Sequence, residues 1–106
     1  LENRYEEAIR HYELALGCDA DFTDAFVGRA RARLRLNQPE RAVLDFEEAL
    51  RREPEDPDLL LEAGSVFHFA GGKTRGVEAL RRALATAAAD WAPRPAAEKL
   101  LAEWTR

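Results

Sequence analysis

Residues 23–56 read TDAFVGRARARLRLNQPERAVLDFEEALRREPED, and their pattern decides the fold. In the second half, Ala42, Phe46, Ala49 and Leu50 fall at i, i+4, i+7 and i+8, one face of an α-helix. In the first half, Phe26 is followed four positions on by Ala30, so a bulky residue stands beside a small one on a helix face. Between the two, Asn37-Gln38-Pro39 stops one helix and starts the next, because proline at a first helical position forfeits no hydrogen bond. Pro54 closes the stretch. Two helices joined by so short a turn pack antiparallel, and the small residues let their backbones approach.

The pattern recurs along the chain. A shift of 34 residues superposes Ala8, Ala42 and Gly76, then Ile9, Val43 and Val77, then Tyr12, Phe46 and Leu80. Ala15, Ala49 and Ala83 also coincide, as do Leu16, Leu50 and Leu84. Five ungapped columns in three copies mark an internal repeat, and each repeat is one supersecondary unit. The preceding helix repeats as well, with Phe26 and Ala30 matched by Leu60 and Gly64. Pro54 and Pro57 bracket the turn between copies, and Gly71-Gly72 ends a helix.

A helix–turn–helix unit of this length, with these large and small positions, resembles the tetratricopeptide repeat. The resemblance implies an all-α chain: a right-handed superhelix (α-solenoid) of antiparallel helix hairpins, about six helices in all, with a C-terminal capping helix. Residues 1–22 are then the second helix of a truncated repeat, 23–56 and 57–90 are repeats, and 91–106 are the cap. The repeat core is Ala8, Tyr12, Ala15, Phe26, Ala30, Ala42, Phe46, Ala49, Leu60, Gly64, Gly76, Leu80 and Ala83. Gly76 departs from the usual alanine, and Ala88 from the usual closing proline. In the cap, after Pro93 and Pro95, Ala97, Leu100, Leu101 and Trp104 make the apolar face.

The resemblance also implies function. First helices of such repeats line a concave groove that takes a peptide or helix of another protein. Carried over position by position, that groove is Val27, Arg31, Leu34 and Arg35, then Leu61, Ser65, His68 and Phe69. Arginine holds a carboxylate through a planar fork, so an acidic partner suits Arg31 and Arg35. Chaperone-binding members use a lysine, asparagine and arginine clamp, which Arg31 and Ser65 do not reproduce. Arg29 is expected to pair with Asp45 as a structural ion pair, since the next copy has Ala63 and Ala79 in the same two columns.

Composition excludes several classes. At 46% hydrophobic and 34% charged, the chain can bury a core yet has no apolar run long enough for a membrane helix. A net charge of −4 opposes nucleic-acid binding, and the alternating Arg29, Arg31, Arg33 and Arg35 spread around their helix instead of forming one stripe. The single cysteine, Cys18, is expected to be a small buried residue, and it fits a reducing, cytoplasmic compartment. No methionine occurs, so the chain is expected to be part of a longer protein; its richness in Ala and Arg suggests a bacterial source.

No catalytic constellation is visible, and no metal or cofactor is expected. His11 and His68 have no ligand partner at metal spacing, and Gly71-Gly72-Lys73-Thr74 lacks the upstream glycine and strand of a phosphate loop. An enzyme is not expected, and the function that the resemblance implies is a protein–protein interaction scaffold. Its alternative is a structural spacer or self-association module, joined through the uncapped N-terminal flank that carries Tyr5, Ile9 and Tyr12.

Overall fold

The computed structural model describes the backbone of residues 2–106 and the side chains from Arg4 onward; Leu1, placed in the first repeat fragment above, lies outside the described residues. The helices are α1 (Glu2–Cys18), α2 (Thr23–Arg35), α3 (Pro39–Arg52), α4 (Pro57–Val66), α5 (Lys73–Thr86) and α6 (Arg94–Trp104). No strand occurs among the described residues, so the all-helical expectation holds. Two compact units divide the chain, Leu1–Arg52 and Glu53–Arg106. None of the described helices is long and apolar enough to cross a membrane.

In the first unit, α2 packs against both α1 and α3. Ala30, Ala42, Phe46 and Ala49 are each 0% exposed, so the repeat columns are its dry centre. Burying a ring such as Phe46 contributes about 1.5–3 kcal/mol. The α2–α3 turn is closed by Asn37, whose φ of 59° is left-handed. The Gln38 N–H donates to the Arg33 carbonyl at 2.8 Å and the Asn37 N–H to that of Leu34 at 3.0 Å. These bonds satisfy carbonyls that the end of a helix would otherwise orphan. Pro39 then opens α3 as its first residue.

The second unit starts with a stronger cap. Asp56 Oδ1 accepts the N–H groups of Asp58 and Leu59 at 3.1 and 3.3 Å, and Pro57 follows as the first helical residue. Helix α4 does not stop at a left-handed residue; it widens into a π-helical turn, Phe67–Gly71. Gly72 ends that turn at φ 114°, ψ 141°, a conformation that a side chain would strain. Small residues bring α4 and α5 together. A Cβ placed on Gly64 would lie 3.1 Å from the Ala79 Cβ, and one placed on Gly76 only 2.6 Å from the His68 Cβ.

Helix α6 packs on α5, with Ala97 wholly buried. One arginine sets the link between them: Arg94 Nη2 donates to the carbonyls of Leu84, Ala87 and Ala88 at 3.2, 2.9 and 3.2 Å. A cation over the carbonyl end of α5 also suits the helix dipole.

One expectation is corrected. Cys18 is exposed, as the last residue of α1, and not a small buried residue. Helix α1 runs one turn position further than its apolar pattern, and nothing stands within 4 Å of a Cβ placed on the neighbouring Gly17.

Candidate functional site

The four arginines of α2 divide into two pairs at i, i+4 spacing. Arg29 and Arg33 turn toward α3, where both hold Asp45. The Arg29 Nη2 lies 2.8 Å from Oδ1 and its Nε donates to both oxygens at 3.2 Å; Arg33 Nη1 reaches Oδ2 at 2.8 Å. Asp45 is 2% exposed, so a carboxylate this buried needs both guanidiniums. Phe26 lies under two cations, with the Arg29 and Arg52 guanidinium carbons 5.7 and 4.5 Å from its ring centre. The sequence reading anticipated Arg29 with Asp45 but not the part of Arg33, although its spacing from Arg29 carries the signal.

Arg31 and Arg35 point the other way and are exposed. With Arg4 they rim a cleft of about 320 Å³ between α1 and α2. The cleft floor is Tyr5, Ala8, Tyr12, Gly28 and Ala32. The Tyr12 ring lies directly on Gly28, where any Cβ would overlap it. Of the remaining groove candidates on α2, Leu34 is half-buried and Val27 is 9% exposed, so Val27 offers little surface. Gly28 and Ala32 were not singled out from the sequence, because a cleft floor between two helices has no one-dimensional pattern of its own.

On α4 and its π turn, Ser65 is exposed and Leu61 half-buried. The Ser65 hydroxyl donates to the Leu61 carbonyl at 3.1 Å. Phe69 is 80% exposed, the most open large apolar side chain described. His68 is placed differently: its ring stacks on Trp104 of α6, centroids 4.0 Å apart and planes 6° apart. One face of the imidazole is thus covered by the last helix. The other tryptophan, Trp91, donates from Nε1 to Asp58 Oδ1 at 2.9 Å, tying the α5–α6 link to the start of α4.

Among the core positions, Leu60, Leu80 and Ala83 are 0% exposed, with Gly64 and Gly76 buried. Ala8, Tyr12 and Ala15, their counterparts on α1, are only half-buried. Glu48 is held below its ordinary acidity value mainly by the Arg52 guanidinium, which donates to it at 2.8 Å; the charges of Arg51 and Arg52 act the same way, and partial desolvation opposes them. No group of three or more His, Cys, Asp or Glu side chains gathers at metal-binding distance among the described residues.

Comparison with known proteins bears on the fold. The tetratricopeptide repeat family profile matches residues 23–66. No curated protein matches the sequence. Among solved structures, the type III secretion chaperone SycD of Yersinia enterocolitica, in complex with a peptide of the translocator YopD, aligns with a TM-score of 0.83 at 15% identity, covering 97% of this chain and 81% of that one. PcrH, in complex with the chaperone binding region of PopD, aligns at 0.79 and 18% identity over 97% of this chain and 80% of that one. MamA aligns at 0.70 and 20% identity over 77% of this chain, which spans about half of MamA (48%). At such identities the likeness is one of fold. Residues 23–66 match the tetratricopeptide repeat, and the chain has the helical-repeat fold of these solved structures.

Proposed function

We propose that this chain is a binding scaffold for a segment of another protein and not a catalyst. The observation that carries the reading is Phe69, an aromatic ring left 80% exposed on the π turn that continues α4, where the tetratricopeptide resemblance implies a contact groove. Large exposed apolar side chains beside polar ones are what a partner buries. Leu61 and Ser65 precede it along α4. On α2, Arg31 and Arg35 present guanidinium forks suited to carboxylates, so the partner segment is acidic or ends in a free carboxylate. The likeness to SycD and PcrH supports the reading, since each of those was solved with a segment of another protein bound.

The test is a peptide-array binding assay on the purified chain and on Arg31→Ala, Arg35→Ala and Phe69→Ala. Acidic or C-terminal peptides should bind the wild type and lose about tenfold or more in the variants, the scale of a lost charge-assisted fork or buried ring. An array with no binder, or binders indifferent to all three changes, would refute the proposal.

A further inference from the structure

The phenylalanine rings of this chain do not all have the same company. In the first unit the Phe26 ring carries two guanidinium groups, with the Arg29 and Arg52 carbons 5.7 and 4.5 Å from its centre. In the second, the Arg75 carbon stands 4.7 Å from the centre of the Phe67 ring. Both rings are buried, Phe26 at 9% exposure and Phe67 at 5%. Phe69 belongs to the same π turn as Phe67, but side chains two positions apart on a helical turn face nearly opposite ways. Its ring is 80% exposed, and no cation of the described residues lies over it. It stands between two described helices, α4 and α5, and not at an end of the chain.

The surrounding charge favours the same kind of group. An aromatic ring presents a negative face, which attracts a cation and not a carboxylate. Between Arg52 and Lys73 the sequence has Glu53, Glu55, Asp56, Asp58 and Glu62, and no Lys or Arg. Asp56 caps α4, and Asp58 Oδ1 accepts the Trp91 Nε1–H, but both keep their charge in these roles. Ser65 gives its hydroxyl proton to the Leu61 carbonyl, so it offers a partner only acceptor lone pairs. The stretch leading into Phe69 is thus acidic and hydrogen-bond accepting. Cations on the other helices of this unit are placed elsewhere. Arg75 lies on Phe67, Arg82 and Arg94 hold backbone carbonyls, and Lys73, Arg81 and Arg106 line a cleft with Trp104. Lys99 is exposed on α6.

We infer that the Phe69 ring receives an arginine of the partner segment, its guanidinium laid on the ring as that of Arg75 lies on Phe67. The carboxylates of the α4 stretch supply the complementary charge. This rests on the reading of Phe69 as a contact residue and names what that contact recognises. Arginine suits the ring better than lysine, because its planar, weakly hydrated guanidinium stacks on an aromatic face. The partner then carries an acidic stretch for Arg31 and Arg35 and an arginine for the second unit. A second copy of this chain is the poorer source of that arginine, since two chains of net charge −4 repel one another.

The probe is a peptide array in which each sequence appears with arginine, citrulline, leucine or glutamate at one position. It is read with the wild type and with Phe69→Ala, Phe69→Leu and Phe69→Trp, with circular dichroism melting of each variant as the folding control. Peptides whose binding falls in Phe69→Ala should prefer arginine. They should weaken roughly two- to tenfold when citrulline, alike in shape but uncharged, takes its place. Phe69→Leu keeps an apolar side chain without the charge distribution of a ring, and should weaken the arginine peptides by a similar factor. Phe69→Trp should hold them as well or better. Equal binding of arginine and leucine peptides, or arginine binding that Phe69→Leu leaves intact, would overturn the inference while leaving Phe69 a contact. An array with no Phe69-dependent peptide would overturn both. Self-association by sedimentation that Phe69→Leu abolishes would overturn it in favour of a second copy.

Discussion

The α2–α3 and α4–α5 hairpins share one register and close it by opposite means. In the first, the columns at 29 and 45 hold Arg and Asp, and a buried carboxylate sits between two guanidiniums. In the second, the same columns hold Ala63 and Ala79, 0% and 5% exposed, and the helices meet backbone to backbone at Gly64 and Gly76. The helix ends differ in the same sense. Helix α2 finishes on left-handed Asn37 with two backbone bonds, whereas α4 widens into a π turn that only Gly72 can end. A repeat register thus dictates where side-chain volume goes, and it leaves open whether charge or close approach fills it.

This contrast yields its largest expected effect at Asp45. Asp45→Ala leaves Arg29 and Arg33 half-buried without their carboxylate, and should cost about 3 kcal/mol in urea unfolding. Arg29→Ala with Asp45→Ala copies the two columns of the second hairpin and should recover part of that loss. A double-mutant cycle measures the coupling, and near-zero coupling would show that the pair does not hold the hairpin. Next is Gly76→Ala, which would thrust a Cβ to 2.9 Å from the Gly64 carbonyl oxygen and from the His68 Cα. It should cost roughly 2 kcal/mol although alanine is the better helix former and is the residue at the same column, Ala42. A neutral result would mean that α4 and α5 are not pressed together as described.

The helix ends give a smaller pair. Gly72→Ala should lose about 1–2 kcal/mol, because its φ of 114° strains any side chain, whereas Asn37→Gly should change stability by only a few tenths. Equal costs at the two positions would contradict the difference between the turns. Smallest is a pH effect confined to the first unit. The Glu48 carboxyl lies below its ordinary value of 4.5 in the fold, so the unfolded chain binds its proton more readily. Its contribution is complete above that value and is lost as pH falls through the lowered one. Thermal melting between about pH 6 and pH 3 should therefore show a shallower acid-side decline in Glu48→Gln than in the wild type. Parallel declines would remove Glu48 from the acid response.

Much of this was legible from the chain because volumes at fixed helical spacing leave a one-dimensional trace. Ala42, Phe46 and Ala49 could be read as a buried face, and the empty columns at Ala63 and Ala79 pointed to Arg29 with Asp45. What was not legible depends on how helices come to rest. The π turn uses as many residues as the ordinary end of the first hairpin, since Gly71 falls 34 positions after Asn37, so no gap betrays it. The stack of His68 on Trp104 depends on where α6 lies, which no spacing encodes. The α1–α2 cleft shows only as a contrast in exposure between Tyr12 and Phe46, residues that are alike in sequence.

The two hairpins also differ in the surface they offer. Helix α2 presents Arg31 and Arg35, and the α4 segment presents Leu61 and the open ring of Phe69. Binding of array peptides, titrated calorimetrically at low and high salt, tests the central claim most directly. The account predicts that Arg31→Ala with Arg35→Ala weakens binding of an acidic peptide to the first unit and flattens its salt dependence, and that Phe69→Ala weakens binding of a peptide to the second unit at both salt concentrations. Affinity unchanged in both variants would contradict the claim that this chain holds a partner through these faces.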